Sequence, residues 1–135
     1  MHKYTYHCPL RWADADAYGH VNNAMFLRYM EEARTRMFQD VLPSDEEGRR
    51  RHAFVVSRAL VDYRAPLDYR DSPVDVNVWV SKSGAATFEL AYEIRDADRE
   101  YATGATTMVA YNLDSGRPRR LSDAEHSLLA GYAEL

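Results

Sequence analysis

Polar and apolar residues alternate at the start of the chain. Between Lys3 and Trp12, the residues Tyr4, Tyr6, Cys8, Leu10 and Trp12 share one parity, and this predicts a strand. From Asn23 to about Val41 the period changes. Phe26, Met30, Ala33 and Met37 fall at spacings of four, three and four, one stripe of a helix widened by Met25 and Tyr29. Arg28, Glu32, Arg36 and Gln39 take the opposite side. The stretch "LPSDEEGRRRH" ends the helix, because Pro43 and Gly48 break it and its charge is too dense for a core.

Alternation then returns four times. Val55, Ala59, Val61, Tyr63 and Ala65 alternate with Arg58, Asp62 and Arg64 in a second strand. Val74, Val76, Val78 and Val80 define a third, and Phe88, Leu90, Tyr92 and Ile94 a fourth. Tyr101 to Asn112 is the fifth, and "SGRPRR" after it reads as a loop. Ser122 and Glu125 have the spacing of a capping box, which predicts a short C-terminal helix. Short turns between the last three strands predict an antiparallel meander. One long helix must bury its stripe on one face of that sheet. The pattern therefore predicts an α+β fold, a curled five-stranded antiparallel sheet wrapped around one central helix. Strands and helices do not alternate, so a doubly wound fold is a poor fit.

Length, composition and charge narrow this picture. At 135 residues the chain reads as a single domain, residues 1–135. Hydrophobic content of 46% with 28% charged residues is that of a globular chain. A net charge of −4 argues against a general nucleic-acid binder, which shows a basic face. Cys8 is the single cysteine, so no internal disulfide forms. The N-terminal stretch lacks a signal-type apolar core, and no apolar run reaches membrane-spanning length. A cytoplasmic location and no membrane span are expected.

Candidate chemistry gathers ahead of the first helix, in "DADAYGHVNNAMF". Asn22 is a favoured N-cap type, and Gly19 lets the backbone turn just before it. The N–H of Asn23 or Ala24 is then free to donate to an oxygen that becomes negative in a transition state. Asp16 precedes it closely enough to reach the same cavity, as nucleophile or as general base on water. The plain alternative is a solvated loop with Asn22 as its cap. Asp14, Asp16 and His20 have neither calcium-loop nor structural-zinc spacing, so no metal is expected.

The segment Arg11 to Phe38 resembles the opening of the hotdog-fold acyl-CoA thioesterases of the 4-hydroxybenzoyl-CoA thioesterase-like family. The shared pattern falls on Trp12, Asp14, Asp16, Gly19, His20, Val21, Asn22, Asn23 and Phe26, then on Glu31, Ala33 and Arg34. "VDYRAPLDYRD", "SKSGAATFELAYEI" and "ATGATTMVAYNLDSGRPRRL" resemble the family's later strands. The resemblance implies thioester hydrolysis. Asp16 would attack the thioester or activate water, and the Asn23 backbone N–H would be the oxyanion donor. Gly19 and His20 would shape the turn and the pocket wall, and Asp14 would hold the loop. Glu31 is a rival carboxylate, since another hotdog branch uses one from the helix, but an ion pair with Arg34 explains it as well.

The same resemblance implies that coenzyme A enters as part of the substrate and that no separate cofactor is needed. Asn22 and Phe26 are expected beside the substrate, with Met25, Tyr29 and Met30 as further candidates for an acyl pocket. Arginine forks suit phosphates. The candidates are Arg117, Arg119 and Arg120, then Ser81 and Lys82, then Arg49 to His52. Gly104, inside a strand pattern, marks a close approach of helix or ligand. A homodimer is implied, or a tetramer of two dimers, with the Val74–Val80 strand as the edge that pairs with its partner. Two other readings stay open: a thioesterase for acyl carrier protein, and a hotdog module that binds acyl-CoA without turnover. A dehydratase fits less well, because the helix carries no histidine between Asn23 and Val41.

Overall fold

The computed structural model describes residues 2–133. Strand β1 (Tyr4–Cys8) leads through a one-turn 3-10 helix, Trp12–Asp14, into helix α1 (Asn23–Met37). A short helix α2 (Glu46–Arg51) precedes β2 (Ala53–Tyr63), β3 (Val74–Ser83), β4 (Thr87–Arg95) and β5 (Glu100–Asn112). A two-residue strand β6 (Arg117–Pro118) and helix α3 (Asp123–Gly131) complete the order. The curled antiparallel sheet runs β1-β3-β4-β5-β2, with β6 paired to the end of β5.

Helix α1 begins where its cap chemistry puts it. Asn22 has extended backbone, and its Oδ1 accepts from Ala24 N at 3.0 Å. Phe26, Met30, Ala33 and Met37 are buried as the stripe predicts, and Tyr29 joins them. They pack on Val74, Val76, Val78 and Val80 of β3 and on Leu90, Tyr92 and Ile94 of β4, all buried. Each such apolar side chain contributes roughly 1.5–3 kcal/mol. The helix sits so close to β5 that a Cβ on Gly104 would lie 2.6 Å from Met30 Cε and 2.9 Å from the Leu60 carbonyl. The close approach expected at Gly104 is therefore made by the helix. Helix α1 stops at Met37, short of Val41, with Phe38 as its C-cap. Ser122 and Glu125 form the predicted capping box of α3.

Four expectations need correction. Trp12 leaves the strand parity: it sits in the 3-10 helix and is 78% exposed. The "SDEEGRRR" stretch holds helix α2, capped by Asp45, whose Oδ2 accepts from Gly48 N at 3.0 Å. The "SGRPRR" loop contains β6. The strand expected at the edge, Val74–Val80, lies inside the sheet, between β1 and β4. The valine alternation reports which face is buried and carries no information about which strand lies beside it. The long free edge belongs to β2, which among the described residues pairs only with β5.

Strand β2 also hides a change of phase. Its register with β5 slips between Val56 and Arg58, so Ser57 is an extra residue. Phe54 on one side of the bulge and Val61 on the other both pack against the core, although their parities differ.

Candidate active site

The loop from Arg11 to Asn22 is tied down at both ends. Asp14 is 3% exposed, and its Oδ2 accepts from Tyr29 OH at 2.7 Å and from Arg11 N at 3.1 Å. The Asp14 carbonyl accepts from Asn22 N at 2.8 Å. A buried carboxylate thus joins the loop to the face of α1. Burial, then the bond to Asp14, pushes the Tyr29 hydroxyl pKa well above the usual tyrosine range.

Between these anchors the chain makes a tight reversal. Asp16 N donates to the His20 carbonyl at 2.8 Å, and Gly19 N donates to the Asp16 carbonyl at 3.1 Å. Gly19 adopts φ +76°, the left-handed region that favours glycine. Tyr18 N donates to Asp16 Oδ1 at 2.9 Å, which holds one carboxylate oxygen in an Asx turn. The segment after β2 supplies the second wall. Val21 N donates to the Leu67 carbonyl at 2.7 Å, and Tyr69 N to the Gly19 carbonyl at 3.2 Å. His20 Nε2 lies 3.3 Å from Asp68 Oδ1.

These walls enclose a cleft of about 360 Å³ lined by Asp16, His20, Val21, Asn23, Phe26 and the stretch from Tyr63 to Leu67. Asp16 and Asn23, adjacent only through the fold of the loop, face one space. Asn23 is the first residue of α1, where a backbone N–H has no intrahelical acceptor. The positive end of the helix dipole points the same way. Phe26 and Tyr63 meet edge to face, with ring centroids 5.3 Å apart. Tyr63 OH donates to the Asn23 carbonyl at 2.7 Å and so braces the peptide after the candidate donor. Asn22 does not line the cleft; its side chain caps the helix.

The other candidates fall elsewhere. Glu31 lines a different cleft, with Leu27, Arg28, Arg34, Val56, Ala59 and Thr106, and it pairs with Arg28 and, at 3.6 Å, with Arg34. Arg119 holds Glu125 with two bonds of 2.8 and 3.0 Å, and donates to the Ala53 carbonyl. Ser81 sits at a second bulge, in β3, and donates to Glu89 Oε1 at 2.7 Å. Lys82 stands opposite Glu89. Arg117 and Arg120 are exposed. All five lie at the end of the sheet away from Asp16.

Sequence reasoning missed Tyr63 and Arg64 as cleft residues. Their alternation places them on a strand, but no local signal ties them to a helix N-terminus forty positions earlier.

A curled antiparallel sheet around one long helix defines the hotdog class of α+β proteins. The chain belongs to the thioesterase-like superfamily, whose family model matches residues 10–129. Membership makes it a thioester hydrolase by class. A thioesterase from Thermus thermophilus, solved with coenzyme A and zinc, is 32% identical with a TM-score of 0.80. That match covers 95% of this chain and 92% of that one. A predicted thioesterase from Bacillus stearothermophilus is 24% identical with a TM-score of 0.85, covering 98% of both chains. A 1,4-dihydroxy-2-naphthoyl-CoA thioesterase from Synechocystis is 22% identical with a TM-score of 0.82, covering 96% of both. Among curated protein sequences none matches the chain.

Proposed function

We propose that the protein hydrolyses acyl-CoA thioesters in the cleft between Asp16 and the start of α1. The observation that carries this is the shared cleft: a carboxylate and the N-terminus of a helix line one space walled by Phe26, Tyr63 and Leu67. The thioester carbonyl carbon sits at Asp16, and its oxygen faces the Asn23 N–H. Asp16 either adds to that carbon or takes a proton from the attacking water. In both routes the carbonyl oxygen becomes an oxyanion, and the Asn23 N–H and the helix dipole stabilise it. Collapse breaks the carbon–sulfur bond: in the general-base route it leaves the free acid, and the departing thiolate of coenzyme A takes up the proton held by Asp16; in the nucleophilic route it leaves a mixed anhydride on Asp16, which water then hydrolyses to the free acid and the carboxylate. The Asx turn with Tyr18 leaves Asp16 Oδ2 for this work. Gly19 gives the loop its reversal, His20 forms the cleft wall, and Asn22 fixes the helix start.

Coenzyme A as carrier is supported by the Thermus relative, which was solved with it. The substrate brings its own coenzyme, so no further cofactor enters the scheme. The assembly fitting this reading is a homodimer, alone or doubled into a tetramer, joined through the free edge of β2.

The test is thiol release from a panel of acyl-CoAs, from acetyl to palmitoyl with benzoyl and phenylacetyl. Wild type runs beside Asp16→Asn, with folding checked for both. The expected loss in kcat is about 10²–10⁴-fold. Full activity in the variant would move the carboxylate role elsewhere, with Glu31 next in line. Binding without turnover by wild type would make the protein an acyl-CoA-binding module. Turnover only of acyl carrier protein thioesters would change the carrier.

A further inference from the structure

Helix α1 carries a second stripe beside the one it buries in the core. Asn23, Leu27, Glu31, Arg34 and Phe38 follow at spacings of four, four, three and four, so they share one side of the helix. Strand β2 supplies the facing wall with Tyr63, Ala59, Val56 and Phe54. Ala59 and Val56 differ in parity yet line one cleft, because the extra residue Ser57 lies between them.

Three clefts follow one another between these walls. The Asp16 cleft comes first, with Asn23 and Tyr63. A cleft of about 330 Å³ comes next, with Leu27, Val56 and Ala59. Leu27 lies one helical turn after Asn23, so this cleft opens where the Asp16 cleft ends. A third, of about 200 Å³, ends among Phe38, Leu42, Phe54 and Met108. Glu31 and Arg34 line both the second and the third, which makes these two a single groove.

One cation interrupts this largely apolar groove at mid-length. The Arg34 side chain is 13% exposed. Its one ion pair among the described residues is with Glu31 at 3.6 Å, longer than a hydrogen bond. Glu31 bonds Arg28 instead. Arg34 lies by the buried hydroxyl pair of Tyr92 and Thr106, whose oxygens are 2.7 Å apart. Burial pushes the Tyr92 pKa up, and the Arg34 charge pulls against that rise. A largely buried guanidinium without a close counterion is costly, and a carboxylate brought by a ligand offsets that cost.

We propose that Arg34 reads the far end of the acyl group, and that the favoured substrates are acyl-CoAs of medium length ending in a second carboxylate. This rests on the thioesterase reading above and adds the substrate class. Eleven residue steps separate Asn23 from Arg34, roughly 16 Å of helix. The Arg34 side chain leans back to Glu31, so an extended chain of about eight to ten carbons brings its terminal carboxylate to the guanidinium. The planar fork takes both carboxylate oxygens. A methyl end would leave the cation further desolvated and still unmatched.

The test compares two ten-carbon thioesters, sebacoyl-CoA with a terminal carboxylate and decanoyl-CoA with a terminal methyl. Wild type is expected to favour sebacoyl-CoA in kcat/KM by about tenfold or more. Arg34→Met keeps the length of the side chain and removes its charge, and should reduce that preference about tenfold or more. Arg34→Lys, a point charge without the fork, should keep part of it. Ala59→Phe fills the groove from an exposed strand position, and should lower kcat/KM for both ten-carbon thioesters relative to acetyl-CoA, which is too short to enter. Free sebacate should inhibit wild-type turnover of acetyl-CoA more strongly than free decanoate, a readout that needs no variant. A wild type that favours decanoyl-CoA, a sebacoyl preference that survives in Arg34→Met, unaltered ratios in Ala59→Phe, or equal inhibition by the two acids would overturn the assignment and leave the thioesterase reading standing. A wild type that hydrolyses no acyl-CoA would sink the thioesterase reading, and the substrate class with it.

Discussion

Asp14 and Asp16 stand two positions apart in opposite surroundings. Asp14 is buried and bonded to Tyr29 and Arg11; Asp16 lines the cleft with one oxygen held by a single backbone N–H. Tyr29→Phe removes the strongest tie on Asp14 and leaves a buried carboxylate under-bonded. Chemical denaturation should show a loss of about 1–3 kcal/mol, with a fall in kcat as the loop loosens. Asn23 allows a cleaner test, because the group at issue is its backbone. Asn23→Ala keeps the N–H, and its kcat should stay close to wild type. Asn23→Pro deletes the N–H at the first helical position, where proline is favoured, and Asn22 already has the extended backbone that proline requires before it. The proline variant should fold normally and lose about 10²–10³ in kcat. Equal activity in the two variants would dismiss the backbone donor.

At the scale of the elements, Gly104 shows how tightly helix and sheet are fitted. Gly104→Ala must displace both the Met30 side chain and the Leu60 carbonyl. The thioether yields easily and the strand does not, so a loss of about 1–3 kcal/mol is expected in a denaturant titration. The same elements show what was legible in the sequence. The α1 stripe, the strands, the α3 capping box and the loop sequence around Asp16 were readable because each depends on neighbours within a few positions. The bulge at Ser57 was hidden, since alternation assumes a constant phase and the extra residue reverses it between Phe54 and Val61. Helix α2 was hidden because six charged and glycine residues present no apolar stripe. The neighbours of β3 and the part of Tyr63 in the cleft are long-range facts with no local signature.

The whole molecule joins its cleft to its stability through one ion pair. Arg70 grips Asp96 with two bonds of 2.6 and 2.7 Å, and Tyr101 OH donates to the same carboxylate. The Tyr101 carbonyl accepts from Arg64 N and Ala65 N, in the wall of the cleft. The hydrogen bonds from Arg70 hold the Asp96 pKa down at about 2, against the cost of partial burial. A lowered folded-state pKa means stability that is present above about pH 4 and lost as pH falls through about 2. With the side chain partly exposed, about 1–2 kcal/mol is involved. Asp96→Asn should be less stable at neutral pH and lose less than wild type on acidification from pH 4 to pH 2. At the free β2 edge, Leu60→Lys places a charge on an exposed apolar position and should shift the proposed homodimer towards monomer in sedimentation.

The unpaired edge of β2 has a consequence for how activity is counted. In the proposed homodimer two such edges pair, and the working unit is an encounter between chains. Turnover of acyl-CoA per chain should then fall on dilution, once chains separate faster than they meet. Plots of rate against total protein would curve upward at the low end.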